Sequence, residues 1–265
     1  MLAGPSKSQI EKLGLRLVGQ DGPTPDDLGM LHDLLLDRSR QLDRAELRVR
    51  EALGVVPTSR VKNTETIFEK LRRRDGSGLK SVQDLAGRRI VGDFDRLGQD
   101  ELVERVVVLF GGGERHPKVV DRRTEPMHGY RAVHVIVFPE GDPIEIQLRT
   151  QWQHEWAEFF EKLADRIGRG IRYGEPPTRW WEPVDVRWDR KRELFEVGYA
   201  LREKLVDLAL AVADLIAAVE EAEGDAPDDP RLHGYKEDVN EALASLQDRL
   251  RHVRDLESMS DSRSG

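Results

Sequence analysis

Residues 128–138 read HGYRAVHVIVF, and this stretch decides the fold class. The run VHVIVF is rich in β-branched and apolar residues, which is typical of a buried strand. Gly129 lets the chain turn tightly into this strand, and Tyr130 stands at its entrance, where we expect an exposed ring. His134 lies inside the run with the same strand parity as Tyr130. Taken alone, such a histidine is more typical of a hydrogen-bonded core residue than of a binding site.

The segments on either side alternate between strand and helix patterns. Three further stretches predict strands: RRIVGDF (88–94), KVVD (118–121) and IEIQLRT (144–150). Residues 99–110 and 151–166 have the spacing of amphipathic helices. The resulting order β-α-β-β-β-α predicts an α+β fold, in which helices pack on a mixed sheet.

Helical segments flank this central unit at both ends. Residues 24–53 predict one long helix, with Thr24 as N-cap, Pro25 in the first turn and Asp27 closing a capping box. A second helical region is interrupted at GDAPDDP (224–230). The predicted organisation has four parts: an N-terminal helical region at 1–55, the core at 56–175, a linker and C-terminal helical region at 176–258, and a disordered tail at 259–265.

Composition excludes several classes of protein. The 265 residues include no cysteine, so neither disulfides nor a thiol-based metal site are expected. No apolar run is long enough for a signal peptide or a membrane span, which predicts a cytoplasmic protein with no membrane partner. The net charge of −8 disfavours general nucleic-acid binding, although a local basic pocket for a small anion is compatible with it.

A basic row lies on a predicted helix at residues 64–74. If that helix reaches back to Lys62, then Lys62, Thr66 and Lys70 share one face, and Arg60 precedes them. Guanidinium, ammonium and hydroxyl groups in a row suit a triphosphate. An ordinary solvated helix face has the same pattern, and the charge run alone favours that interpretation.

Two carboxylates occupy unusual positions. Asp84 ends a short turn before a strand, and Glu145 lies within IEIQLRT. In that strand Ile144, Ile146 and Leu148 form one face, so Glu145, Gln147 and Arg149 form the other. The polar face either meets water, which the pattern alone favours, or lines a polar site. Paired carboxylates on neighbouring strands would hold Mg²⁺.

Four motifs in order are more specific than any one of them. RVKNTETIFEKL, VQDLAGRRIV, HGYRAVHVIV, and IEIQLRT followed by Trp156 and Ala157 together resemble the RelA/SpoT nucleotidyltransferase family, the (p)ppGpp synthetases. The resemblance covers about residues 56–165. Within the family, the chain is similar to a stand-alone synthetase-like or toxin-like member. It implies a nucleotidyltransferase-like core that transfers pyrophosphate from ATP to a ribose 3′-hydroxyl, usually of GDP or GTP.

The resemblance also implies residue roles. Asp84 and Glu145 would bind Mg²⁺ and form the catalytic pair, and Glu145 would double as the base, although a metal-bound carboxylate is a weak one. Tyr130 would stack on the acceptor guanine. The remaining residues would bind the two nucleotides: Arg60, Lys62, Thr66, Lys70 and Arg89 the ATP phosphates, and Arg131, His134, Gln147 and Arg149 the acceptor.

The chain also departs from the family pattern. After the Trp-Ala pair many stand-alone synthetases have Glu-His and then Lys, whereas here Phe160, Glu161 and Lys162 follow without a histidine. Ala164 and Asp165 stand where many members have Tyr-Lys. These changes adjoin the expected acceptor site, so they bear on which acceptor the protein uses.

Two alternatives therefore stay open. One is pyrophosphorylation of the tRNA 3′ end by a toxin, with a docking surface from one of two arginine groups: Arg72, Arg73 and Arg74, or Arg166, Arg169 and Arg172. The other is a catalytically degenerate domain for nucleotide sensing or partner binding. In that case the helical flanks would supply the surface for a homo-oligomer or a protein partner.

Overall fold

The structure is a computed structural model that describes residues 6–59, 68, 71–72, 79, 87–177 and 188–261. Its helices and strands follow in chain order: α1 (Lys7–Leu17), α2 (Pro25–Leu53), β1 (Thr58–Ser59), β2 (Gly87–Gly92), α3 (Arg96–Phe110), β3 (Lys118–Asp121), β4 (Val133–Val137), β5 (Ile144–Thr150), α4 (Gln151–Ile167), a 3₁₀ helix (Arg169–Tyr173), α5 (Trp188–Asp225) and α6 (Leu232–Asp261). The predicted α+β class with a mixed sheet is confirmed.

The chain divides into two compact units. The first is drawn from residues 1–91, 100–120 and 133–148, and the second from residues 92–99, 121–132 and 149–265. The predicted domain boundaries, at 55, 175 and 258, stay a prediction. The helix α6 continues to Asp261, into the segment predicted as a tail.

Among the described residues, the first unit contains a five-stranded sheet in the order β1-β2-β5-β4-β3. Strand β1 pairs antiparallel with β2, and β4 pairs antiparallel with β5. The helix α2 packs on one face of the sheet, where its residues Ala45 and Val49 meet Ile144 and Ile146 of β5. On the same face the Arg88 guanidinium of β2 forms ion pairs with two carboxylates of α2, at 2.6 and 2.8 Å.

The N-terminal helices show how local signals set helix starts. Thr24 caps α2, and its hydroxyl accepts from the Asp27 amide while the Asp27 carboxylate accepts from the Thr24 amide, as the capping box predicts. The helix α1 begins in the same way at Ser6 and Gln9, a signal that we did not use to predict a helix there. Leu13 and Leu17 of α1 are buried in a core shared with Leu31 and Leu34 of α2.

The second unit has a helical core. Trp156, Phe160 and Leu163 of α4 pack with residues of α5 and α6, and the Trp156 and Phe160 rings stack at 4.7 Å between centroids. The Trp156 indole N–H donates to the carbonyl of Ala209 in α5 at 2.6 Å. The predicted break between two C-terminal helices is confirmed, since α5 ends at Asp225 and α6 begins at Leu232.

Candidate functional site

The polar face of β5 is turned inward. Glu145 is 7% exposed and Arg149 is 2% exposed, while Gln147 is half-buried. The expectation that this face meets water is therefore wrong for these residues. A sheet face is buried when other parts of the chain cover it, which residue alternation along a single strand does not reveal.

The carboxylate of Glu145 is held at both oxygens. Its Oε1 lies 2.8 Å from Nδ1 of His134 in β4, and its Oε2 accepts from the Gln147 amide at 2.7 Å. The antiparallel register places His134 opposite Gln147 and therefore diagonally from Glu145, within reach of a long side chain. Because a buried carboxylate needs donors to offset its lost hydration, these contacts explain how the charge is accommodated.

Arg89 belongs to the same face of the sheet. Its neighbour Arg88 reaches α2, so strand alternation directs Arg89 to the opposite side, where Glu145 also lies. Strands β2 and β5 are neighbours in the sheet, and a Cβ added at Gly87 would lie 3.6 Å from the Glu145 carbonyl oxygen. The first unit thus gathers a guanidinium, a carboxylate, an imidazole and an amide on one sheet face.

The other predicted ATP and metal residues lie outside the described residues. They are Arg60, Lys62, Thr66, Lys70 and Asp84. Among the residues that the structure does describe, no group of three or more His, Asp or Glu side chains is placed to hold a metal ion. The predicted pairing of Asp84 with Glu145 stays a prediction.

In the second unit a tight turn presents Tyr130. His128 and Gly129 both have positive φ, at 48° and 80°, and Met127 and Tyr130 exchange backbone hydrogen bonds across them. Two successive positive φ values are those of a type I′ turn. A Cβ at Gly129 would lie 2.8 Å from the Trp156 ring, so glycine is required here both by conformation and by space.

The ring of Tyr130 is half-buried rather than exposed. It packs against the helical core of the second unit, and its hydroxyl accepts from Nη2 of Arg149 at 2.9 Å. The Arg149 guanidinium carbon also lies 5.0 Å from the ring centroid, within the range of a cation–π contact. Tyr130 and Arg149, both predicted acceptor residues, therefore contact one another directly.

Arg131 reaches α5. Its guanidinium donates to the carbonyl of Ala213 at 3.1 Å and pairs with the carboxylate of Asp214 at 2.9 Å. The Arg131 side chain is 12% exposed. In this arrangement Arg131 anchors a helix of its own unit, whereas the sequence resemblance implied that it binds the acceptor nucleotide.

A buried polar group that the sequence did not indicate lies at the start of α4. Glu220 of α5 is 3% exposed and accepts from the Thr150 hydroxyl at 2.5 Å and from the Gln153 amide at 2.9 Å. Burial raises the pKa of the Glu220 carboxyl, and the two hydrogen bonds and the nearby Arg96 and Arg123 oppose that rise. Glu220 belongs to an acidic run, EEAEGD, in which no local signal separates it from its neighbours.

Two of the arginines proposed as a tRNA-docking surface have partners within the protein. Arg166 donates to the Leu250 carbonyl at 3.3 Å, and Arg169 pairs with Asp165 at 2.9 Å. Arg73 and Arg74 lie outside the described residues.

Among the described residues, no helix is long and apolar enough to span a bilayer.

Comparison with known protein families finds a match in the central part of the chain. Residues 59–164 match the model of the region found in RelA / SpoT proteins. This segment resembles a RelA/SpoT region. The predicted resemblance is therefore confirmed over the segment that contains Glu145, His134 and Gln147.

Curated proteins of two mycobacteria are similar to this chain in sequence. Uncharacterized proteins of Mycobacterium bovis and of Mycobacterium tuberculosis are 39% identical over 179 residues, which is 66% of this chain and 64% of each relative. The chain thus spans less than two thirds of the length of these curated relatives.

Solved structures with some likeness include small alarmone synthetase 1 from Bacillus subtilis. The form bound to its product pppGpp is 17% identical, with a TM-score of 0.44, and the match covers 71% of this chain and 99% of that one. The form bound to AMPCPP is 18% identical, with a TM-score of 0.43, over 76% and 99% of the two chains. Because these TM-scores are low, the resemblance to RelA/SpoT proteins rests on the sequence match.

Proposed function

We propose that this protein transfers a pyrophosphate group from ATP to the ribose 3′-hydroxyl of a guanosine nucleotide, forming a (p)ppGpp-type alarmone. The observation that carries the proposal is the buried Glu145 carboxylate, held at both oxygens on the central strand of a RelA/SpoT region. A carboxylate fixed on a strand has the rigidity that an acid–base or metal-binding group requires.

In the proposed reaction the acceptor 3′-oxygen forms a bond to the β-phosphorus of ATP. The bond from that phosphorus to the oxygen shared with the α-phosphate breaks, and AMP leaves with the electron pair. The 3′-hydroxyl proton passes to a base, and Glu145 is the described carboxylate that the motif match aligns with this role. Transfers of this kind depend mostly on positioning and on neutralising charge.

Several chain residues would serve these two needs. Arg89, on the face of the sheet that carries Glu145, would contact the ATP phosphates together with Arg60, Lys62, Thr66 and Lys70. Tyr130 would stack on the guanine. Bidentate guanidinium contacts and ring stacking are ordinary ways to hold a nucleotide.

The proposed reaction would use a magnesium ion. Mg²⁺ takes oxygen ligands and usually keeps waters and substrate phosphates in its shell, so one or two carboxylates suffice. Glu145 would hold the ion with Asp84, and the ion would neutralise phosphate charge when bound. The contacts of His134 and Gln147 with the two Glu145 oxygens would then adjoin the ion.

A labelling assay tests the proposal. The protein is incubated with γ-labelled ATP and Mg²⁺, separately with GDP, GTP and deacylated tRNA, and the acceptor that gains label is identified. We expect GDP or GTP to be labelled. Label on tRNA alone would replace the guanosine nucleotide by the toxin-type acceptor, and no label on any acceptor would favour the degenerate domain.

Glu145→Gln separates catalysis from folding. We expect the rate of pyrophosphate transfer to fall by about 100-fold or more, because about 100-fold is the lower end of the contribution of a general acid or base. The melting temperature should not change. The matched control is Glu114→Gln, the same change at an exposed glutamate. Near-normal turnover in Glu145→Gln would refute its assignment.

A further inference from the structure

His134 makes a contact that its predicted role in acceptor binding does not explain. The motif match gives it to the acceptor nucleotide, but in the structure its Nδ1 faces Oε1 of Glu145 at 2.8 Å. The His134 side chain is 15% exposed and the Glu145 side chain 9% exposed. Water therefore competes little for this contact, and a hydrogen bond in such surroundings is stronger than one in water.

The strand register makes this contact a fixed property of the sheet. His134 pairs with Gln147, and Ile136 pairs with Glu145, so the imidazole and the carboxylate come from neighbouring rungs of one antiparallel ladder. The Gln147 amide donates to the other Glu145 oxygen at 2.7 Å. A contact from each side therefore limits the rotation of the carboxylate about its last bond.

We propose that His134 is a positioning residue for Glu145, and that it acts by donating a hydrogen bond from Nδ1 instead of by contacting the acceptor. The proposal deepens the function proposed above and rests on it for the role of Glu145. His134 and Gln147 together hold the carboxylate plane in the orientation that the acceptor hydroxyl or a metal ion meets. Loss of a group that orients a ligand in this way typically costs about 10–100-fold in metal affinity or activity.

Two amide substitutions distinguish the ring nitrogens of His134. Asparagine carries its amide nitrogen at the same number of bonds from the backbone as Nδ1, and glutamine carries its own at the position of Nε2. If Nδ1 orients Glu145, His134→Asn should keep kcat within about 10-fold. His134→Gln and His134→Ala should each lose about 10–100-fold in kcat, with little change in the KM for the acceptor.

The opposite pattern would overturn the proposal. Recovery by glutamine instead of asparagine, with a KM for the acceptor that rises in the asparagine variant, would return His134 to the acceptor. Equal losses in the two amide variants, or no loss in any variant, would also refute the positioning role. His116→Asn, the same change at an exposed histidine, is the control, and thermal melts of all variants detect any that fail to fold.

A spectroscopic measurement tests the contact without using activity. In ¹⁵N-histidine-labelled protein at neutral pH, we expect a proton on Nδ1 of His134, since only a protonated Nδ1 can donate to a carboxylate. A proton on Nε2 alone would overturn the proposal. If the wild-type protein labels no acceptor, the proposed function fails, while the position of this proton still decides whether His134 donates to Glu145.

Discussion

The substitution Tyr130→Phe removes one oxygen atom and keeps the ring. For an exposed ring it would be almost silent, but the Tyr130 hydroxyl accepts a hydrogen bond at 2.9 Å from Arg149, whose side chain is almost fully buried. A hydrogen bond to a charged group contributes about 1.5–3 kcal/mol to stability. The contact of the Arg149 guanidinium with the ring face is retained by phenylalanine, so the expected loss is that of the hydrogen bond alone.

Urea denaturation measures this loss. With a typical slope of about 1–3 kcal/mol per molar urea, the expected change lowers the unfolding midpoint by roughly 1 M. Tyr235→Phe, the same change at an exposed tyrosine on α6, is the matched control and should leave the midpoint unchanged. If the two variants unfold at the same urea concentration, the hydrogen bond between Tyr130 and Arg149 does not stabilise the protein. Acceptor affinity in Tyr130→Phe should stay normal, because base stacking uses the ring face.

Two further substitutions have expected outcomes of their own. Gly129→Ala should lower the urea midpoint of unfolding more than Gly141→Ala. Both glycines have φ near 80°, but only at Gly129 would a Cβ meet the Trp156 ring. Equal shifts in the two variants would refute the expected clash with that ring. The folded state raises the pKa of Glu220, so it binds that proton more tightly than the unfolded chain does. Glu220 therefore makes the free energy of unfolding fall as pH rises above about 4.5. Glu220→Gln should remove this pH dependence in denaturation curves recorded between pH 4 and 8, and an unchanged dependence would contradict the prediction.

Local signals predicted much of the fold. The helix α2 starts where Thr24 and Asp27 form a capping box, and α4 follows β5 at Thr150 without a linker, as predicted. These boundaries depend on residues a few positions apart, so a single sequence contains the necessary information. The start of α1 at Ser6 has the same kind of signal, which we overlooked.

The candidate site was less accessible to sequence reasoning. Alternation along β5 correctly grouped Glu145 with Gln147, but the burial of that face depends on distant segments. The contact of His134 with Glu145 depends on a strand register that the sequence does not state. The engagement of Arg131 by Asp214 joins residues 83 positions apart, and no local pattern indicates it.

The position of β5 in the sheet has a consequence for how the protein opens. It is the longest of the described strands and lies between β2 and β4, so its backbone amides and carbonyls face a neighbouring strand on each side. Native proteins exchange amide hydrogens first at frayed ends and edge strands, and last at such central strands. In a hydrogen-exchange experiment the amides of Glu145 and Gln147 should be among the slowest of the sheet. The residues that carry the proposed chemistry would then keep their arrangement through partial openings that loosen the margins of the first unit.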